Sequence, residues 1–142
     1  MILYYKVIDE NAVPPKKNHD SDAGYDISAI KLVKDCGEYQ VYGTGLIVYL
    51  DEEDFYLEMF PRSSTCKTGY TLANSVGIID RDYRGELLIV LHKFDKTKPD
   101  LELPSRIVQL IPKRMYNMKV EEVAEVSNTV RGEKGFGSSG SK

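Results

Sequence analysis

The sequence contains no tryptophan, only two cysteines and two histidines, and no long apolar run. A membrane-spanning helix needs about 20 consecutive apolar residues, so neither a transmembrane segment nor a membrane partner is expected. Residues 1–7 are too short and too polar for a signal peptide, which favours an intracellular, cytoplasmic protein with reduced thiols. A eukaryotic or viral source would make the nucleus or the host cell the corresponding location.

Cationic side chains are not in excess either, because 19 Lys and Arg stand against 22 Asp and Glu, giving a net charge of -3. Nucleic-acid binding requires a basic surface, so no nucleic-acid partner is expected, and an anionic ligand must meet local arginines or a metal. Cys36 and Cys66 lack the close spacing of a zinc or redox pair, and His19 and His92 share no metal-ligand spacing. The four acids at residues 51–54 are expected to form a solvated turn rather than a metal cluster.

Short segments rich in Val, Ile, Tyr and Leu recur about every eight to twelve residues, separated mostly by Gly, Pro, Asp or Asn. This spacing predicts an all-β fold, a distorted antiparallel β-barrel or jelly-roll-like sandwich. Alternation over residues 46–50 and 55–60 predicts half-buried strands, and the apolar stretch 87–91 predicts a strand covered on both faces, inside a sandwich or at a subunit contact. Residues 63–69 predict one short helix, capped by Ser63 or Ser64 and ended by Gly69.

At 142 residues the chain has the length of a single domain. We expect a β domain over residues 1–130 and a flexible, glycine-rich C-terminal arm over residues 131–142. With four glycines and three serines, the arm cannot form a packed element alone, and a frayed terminus or linker would have a similar composition. Arg131 and Phe136 argue against a linker, because a guanidinium, a ring and accessible amides suit a phosphorylated base.

Residues 77–85 read Gly-Ile-Ile-Asp-Arg-Asp-Tyr-Arg-Gly, which places two carboxylates, a phenol and two guanidiniums in one glycine-bounded turn. Strands over residues 70–73 and 86–92 would hold Asp80 and Tyr83 in place, and the glycines would allow backbone angles that other residues resist. A charged hairpin tip facing water would explain the same residues equally well. These nine residues alone do not distinguish a functional site from a solvated hairpin tip, so the rest of the sequence is needed.

Four further segments carry polar side chains, at residues 22–26, 61–64, 106–111 and 131–140. Arg62, Ser63 and Ser64 offer a guanidinium, two hydroxyls and backbone amides at a helix start, which suits a phosphate chain, although an ordinary capped turn has the same pattern. Gln109 is expected to share a strand face with Ile107, where a buried amide needs partners. Neighbouring backbone groups could supply them.

The five segments, in this order and with these gaps, closely resemble the five motifs of the trimeric dUTPase family, also called dUTP diphosphatases. The resemblance spans residues 22–140, and its most specific parts are residues 74–86 and the ending from Arg131 to Gly140. Two residues depart from the family pattern: Lys134 stands where glycine is frequent, and Ser139 stands where threonine is common. Lys134 could add a phosphate contact or stiffen the closing arm.

The resemblance implies hydrolysis of dUTP to dUMP and pyrophosphate, which limits uracil incorporation into DNA and supplies dUMP for thymidylate synthesis. It implies a Mg²⁺ ion held mainly by the triphosphate, with no residue binding it directly, and a water that attacks the α-phosphorus. Asp80 matches the carboxylate that activates this water, as a positioned base does. Asp26 matches a carboxylate that acts near the metal through water, whereas Asp82 is expected to be structural.

The resemblance implies three groups of substrate contacts: one reads the nucleoside, one holds the phosphates and one closes over both. The nucleoside group reads the pairing edge of uracil and packs against the deoxyribose, and it comprises Asn74, Gly77, Ile78, Ile79 and Tyr83. The phosphate group comprises Arg62, Ser63, Ser64 and Gln109. The closing arm, whose ring stacks on uracil, comprises Arg131, Phe136, Gly137, Ser138 and Ser139. The catalytic set would be Asp80, Asp26, Gln109 and Arg131.

In the family, three chains assemble about a threefold axis and each site draws motifs from different subunits, which implies a homotrimer with shared sites. Two other functions remain open. A dCTP deaminase has the same architecture but carries a catalytic glutamate on the strand after the turn; Val90 occupies that position here, so the proton shuttle would be missing. A non-catalytic nucleotide-binding regulator or structural unit would have no need of a base such as Asp80.

Overall fold

A computed structural model describes residues 1–135 of the chain, and its regular structure consists almost entirely of β-strands. The strands are β1 (Leu3–Val7), β2 (Tyr25–Ala29), β3 (Lys31–Asp35), β4 (Gln40–Gly43), β5 (Leu46–Leu50), β6 (Phe55–Pro61), β7 (Tyr70–Leu72), β8 (Gly77–Ile79), β9 (Leu88–Lys93) and β10 (Ser105–Arg114). The paired strands run antiparallel. The predicted all-β class is confirmed.

The strands form three hydrogen-bonded sheets, in the orders β1-β5, β2-β10-β6-β8 and β3-β4-β9-β7. The two four-stranded sheets share one hydrophobic core with β5, and the largest fully buried side chains include Ile27, Leu46, Tyr70, Ile89, Leu91 and Leu110. Burial of this apolar surface is the main force that stabilises the fold. The architecture is a jelly-roll-like sandwich, because in the described part of the chain the sheets do not join into one closed barrel.

The strands predicted from alternation are confirmed, since β5 and β6 bury every second side chain. The stretch 87–91 behaves differently from its prediction. Leu87, Ile89 and Leu91 are buried, but Leu88 is 39% exposed and Val90 is half-buried. Side chains alternate between the two faces of a sheet, so a single chain covers only one face of this strand. Coverage of its outer face at a subunit contact stays a prediction.

The predicted short helix is a single 3₁₀ turn over Thr65–Thr68, with Ser64 at its N-cap position. The Ser64 hydroxyl makes no capping hydrogen bond. The turn is instead held by the buried Thr65 hydroxyl, which donates to the carbonyl of Ile107 at 2.5 Å. Gly69 ends it with a φ of 80°, a left-handed angle that favours glycine. The helix start therefore lies firmly against β10.

Regular structure ends with β10, and residues 115–135 form neither strand nor helix. The acids at 51–54 are exposed in the turn that joins β5 to β6, as expected for a solvated turn.

Among residues 1–135, no helix is long and apolar enough to cross a membrane. The predicted arm residues Phe136, Gly137, Ser138 and Ser139 lie outside the described residues.

Candidate active site

One cleft of about 190 Å³ opens at the edge of the sandwich, where strand β8 faces the start of β9. We call it the turn cleft, and its lining is Met59, Asn74, Gly77, Ile78, Ile79, Asp80, Tyr83, Leu87 and Leu88. All five members of the predicted nucleoside group and the predicted base are therefore together. The turn cleft combines an apolar floor with a carboxylate, a phenol and an amide.

The turn cleft depends on a chain path that the sequence did not predict. The strands β7 and β9 do pair with each other, but residues 77–79 are not a loop between them. They form β8, which crosses to the other four-stranded sheet and pairs with β6. Because β8 is an edge strand, part of its backbone N–H and C=O groups point away from β6. Those groups are available to a ligand in the turn cleft.

The two glycines that bound residues 77–85 do not provide the unusual backbone angles predicted for them. Neither Gly77 nor Gly85 has a positive φ; the left-handed angle falls on Ser75, at 62°. Gly85 is required for space, because a Cβ there would collide with the Tyr83 ring. The Tyr83 hydroxyl donates to the carbonyl of Glu86 at 2.8 Å, and the Tyr83 amide donates to the carbonyl of Asp80 at 3.0 Å. These contacts fix the phenol beside the cleft.

The Asp80 carboxylate is exposed at the rim of the turn cleft. Within residues 1–135 it accepts no hydrogen bond and forms no ion pair, so its oxygens are free for a water. The neighbouring Arg81 pairs with Asp82 instead, at 3.2 Å. The Asp82 side chain is 86% exposed, and this adjacent pair gives no support to the structural role expected for it.

A second cleft of about 190 Å³ lies beside β2 and the end of β6. We call it the arginine cleft, and its lining is Asn18, Asp22, Ala23, Gly24, Asp26, Arg62, Ser63 and Gln109. Asp26 is its best-connected acid: one carboxylate oxygen lies 2.9 Å from Arg62 Nε and the other 3.5 Å from Arg106 Nε. With its side chain only 10% exposed, Asp26 holds two guanidiniums in place.

Gln109 lines the arginine cleft, and the strand that carries it, β10, contains a register shift between Arg106 and Val108. Gln109 alternates with the buried Val108 and Leu110, as expected, and the irregularity allows Ile107 and Val108 both to be buried. Gln109 pairs in register with Asp26, and its amide nitrogen donates to the carbonyl of Pro61 at 3.2 Å. A Cβ at Gly24 would collide with the Gln109 amide oxygen, so glycine makes this close packing possible.

The structure adds two residues that the site prediction missed. Arg106 contacts Asp26 and also donates from Nη1 to the Asn18 side-chain oxygen at 3.0 Å. Arg106 opens the 106–111 segment and could have been chosen by its charge, whereas Asn18 lies in an irregular loop without a motif. In the same loop, the backbone N–H of His19 donates to Asp22 at 3.0 Å and lowers the pKa of that carboxyl.

The arginine cleft contains carboxylate and amide oxygens, which are ligands that suit Mg²⁺. Among residues 1–135, no three His, Cys, Asp or Glu side chains are grouped to hold a metal ion. Mg²⁺ commonly keeps several waters and binds through one or two carboxylates plus substrate phosphates. Because guanidiniums engage both oxygens of Asp26, the cleft fits a Mg²⁺ held mainly by a nucleotide, with Asp22, Asp26 and the amide of Gln109 near its waters.

The two clefts have no residue in common and lie at opposite edges of one sheet. The cross-strand partners Gly77, Met59, Leu110 and Tyr25 lie in one row across β8, β6, β10 and β2. Three strand spacings separate the outer members of this row, roughly 14 Å. One chain thus does not bring Asp80 and Gln109 together. Arg131 lines neither cleft; its Nε donates to the carbonyl of Lys134 at 3.0 Å.

Sequence comparisons with known proteins identify the family of this chain. The sequence profile described as dUTPase matches residues 10–140. The deoxyuridine 5'-triphosphate nucleotidohydrolase of Clostridium acetobutylicum is 39% identical over 143 residues, covering 99% of this chain and 97% of that protein. The enzyme of the same name from Clostridioides difficile is 36% identical over 140 residues, covering 97% of each.

A solved structure has the same fold. The dUTPase of Staphylococcus bacteriophage 80alpha, in its form with dUPNHPP, superposes with a TM-score of 0.79 at 28% sequence identity, covering 98% of both chains. Fold and relatives together define the class, a jelly-roll enzyme. More specifically, the chain belongs to the dUTPase family.

Proposed function

We propose that this protein hydrolyses dUTP to dUMP and pyrophosphate, and thereby limits uracil incorporation into DNA while supplying dUMP for thymidylate synthesis. The observation that carries the proposal is the turn cleft, which places Asp80, Tyr83, Asn74 and an open strand edge around one small cavity. The family relationship supports the same substrate. We also propose an intracellular location, in which Cys36 and Cys66 remain free thiols.

Selection of the base and sugar would occur in the turn cleft. Free backbone groups of β8, with the Asn74 amide, would pair with the donor and acceptor pattern of uracil. Cytosine reverses part of that pattern and would leave buried groups unpaired, which costs more than a poor fit. The Tyr83 ring would pack against C2′ of deoxyribose and leave no space for a 2′-hydroxyl. Thymine would be excluded by its methyl group.

The chemical step would use Asp80 as the base. Its free oxygens accept a proton from a water, the water oxygen bonds to the α-phosphorus, and the bond from that phosphorus to the bridging oxygen breaks. Pyrophosphate leaves with the electron pair of that bond. A positioned base contributes about 10² to 10⁴ in rate. Negative charge grows on the phosphoryl oxygens, where Arg62, the serine hydroxyls and the second N–H of Gln109 would stabilise it.

Mg²⁺ would be held by the triphosphate beside Asp26 and Asp22, and when bound it would neutralise phosphate charge. The residues of this chain have a separate task. Asp26 keeps the guanidiniums of Arg62 and Arg106 oriented before any nucleotide arrives, so that little reorganisation is needed on binding. The role of Asp26 near the metal through water remains part of the proposal.

We propose that the protein is a homotrimer whose sites are shared between chains. The base at Asp80 and the phosphate contacts at Arg62 and Gln109 must reach one α-phosphate, yet within one chain they lie in two clefts at opposite sheet edges. A threefold, head-to-tail assembly would place the turn cleft of one chain against the arginine cleft of the next. The arm from residue 131 onward would then close over a site, with Arg131 on the outer phosphates.

A product assay tests the proposed function. The protein is incubated with Mg²⁺ and either dUTP or dCTP, and both pyrophosphate and ammonia are measured. We expect pyrophosphate from dUTP and no ammonia from dCTP. Ammonia from dCTP would establish a deaminase, and binding of dUTP without pyrophosphate release would establish a non-catalytic binder. Val90, half-buried on β9, offers no carboxylate for deamination.

A further inference from the structure

Arg84 lies in the turn between β8 and β9, and none of the proposed steps uses it. Its Nη1 donates to two carbonyls of that turn, Arg81 O at 2.6 Å and Tyr83 O at 2.9 Å. A single nitrogen therefore bridges the backbone on both sides of Asp82. These hydrogen bonds hold together the turn that runs from the proposed base, Asp80, to the proposed sugar contact, Tyr83.

The same guanidinium is attached to the sandwich through an aromatic stack. Its Cζ lies 4.6 Å from the centroid of the Tyr49 ring on β5. Tyr49 in turn stacks on Tyr4 of β1, with centroids 5.1 Å apart and planes 17° apart. These two tyrosines are cross-strand partners, so the stack rests on regular sheet structure. A guanidinium over an aromatic face is attracted to it and favours flat packing.

Tyr49 also lies directly beneath the turn. Together with Asp80 and Arg81 it lines a cavity of only about 10 Å³, at the lower limit for one water molecule. The turn is thus tightly packed on this side. Displacement of the stack would change the position of Asp80 and Tyr83 relative to the sheet.

We propose that Arg84 is a positioning residue that, through its stack on Tyr49, sets the placement of Asp80 and Tyr83 and thereby the discrimination between deoxyribonucleotide and ribonucleotide. This inference rests on the proposed function. Exclusion of a 2′-hydroxyl depends on the Tyr83 ring being held within a fraction of an ångström, and a shift of about 1 Å can cost on the order of 10² in rate. A looser turn would admit UTP more readily and use dUTP less well.

The test compares kcat/KM for dUTP with kcat/KM for UTP in each variant. Because both substrates meet the same population of folded enzyme, the ratio does not change when a variant is merely less stable. We expect Arg84→Ala and Tyr49→Leu to lower the ratio about tenfold. Tyr49→Phe keeps the ring and should stay within about twofold of the unmodified protein, as should Arg81→Ala, an arginine of the same turn that does not stack. An unchanged ratio in Arg84→Ala would overturn the proposal.

Amide hydrogen exchange provides a readout independent of turnover. In Arg84→Ala we expect the peptide covering residues 80–87 to exchange roughly tenfold faster, while the peptide covering β9 is unchanged. Equal exchange of the turn peptide would refute the positioning role even if the protein had no activity on dUTP. Absence of dUTP hydrolysis in the unmodified protein would refute the proposed function alone, and the exchange result would still decide the role of Arg84.

Discussion

The two clefts are similar in size but differ in the burial and the hydrogen-bond partners of their carboxylates. In the arginine cleft, Asp26 is nearly buried and both of its oxygens are engaged by guanidiniums. In the turn cleft, Asp80 is exposed and its oxygens have no partner within residues 1–135. An engaged carboxylate organises cations for an anionic ligand, whereas a free one can accept a proton. Under the proposed function, phosphate binding and proton acceptance therefore lie at different edges of one sheet.

The largest expected effect comes from removing the free carboxylate. Asp80→Asn should lower kcat for dUTP by about 10² to 10⁴, because the amide cannot accept the proton of the attacking water. Affinity for a non-hydrolysable dUTP analogue should stay within about threefold, since the shape of the cleft is kept. Steady-state kinetics and calorimetric titration check the two parts. Asp82→Asn, two residues away and paired only with Arg81, is the matched control and should behave like the unmodified protein.

Alkaline pH should weaken the core between the sheets. Burial raises the pKa of Tyr42 to about 12, so the folded chain keeps that proton while the unfolded chain loses it near pH 10. This stability is complete below about pH 10 and is lost as the pH rises through about 12. From about pH 10 to about pH 12, the free energy of unfolding should fall by roughly 2 to 3 kcal/mol more in the unmodified protein than in Tyr42→Phe. Urea titrations across that range measure the difference, and parallel curves for the two proteins would contradict it.

The smallest expected effect tests how tightly the arginine cleft is packed. Gly24→Ala places a methyl group against the Gln109 amide and should displace it, raising KM for dUTP about tenfold with a smaller change in kcat. Gly37→Asn is the control, because Gly37 has a left-handed φ of 83° that asparagine tolerates and open space around it. Equal KM values for the two variants would mean that Gln109 is not a phosphate contact.

Local patterns in the sequence were sufficient for the strands and for the choice of chemical groups. Alternation defined β5 and β6, and the spacing of Ser64 and Gly69 defined the 3₁₀ turn. Long-range pairing was beyond such patterns. Three residues at 77–79 carry no signal for the sheet they join, so the crossing of β8 was missed. The register shift near Ile107 was also missed, because it shows only in the pairing of β10 with β2, which is distant in sequence.

The partition of the motifs between two clefts was also invisible in the sequence. Motif order places Arg62, Asp80 and Gln109 along one chain but does not show how far apart the sheet holds them. The extra contact of Arg106 with Asn18 joins strand β10 to a loop that meets it only in three dimensions. Candidate side chains could be named from the sequence, whereas their distribution over the surface required the strand order.

In the proposed trimer, the two clefts of one chain serve different sites. The most direct test mixes two inactive proteins, Asp80→Asn and Arg62→Ala, by joint unfolding and refolding in equal amounts. If the sites are shared, a working site combines an unsubstituted Asp80 from one chain with an unsubstituted Arg62 from its neighbour. In a random equal mixture about one quarter of the sites meet this condition, so about one quarter of the unmodified activity should return. Activity that stays at the level of the separate variants, although mixed oligomers have formed, would contradict the account.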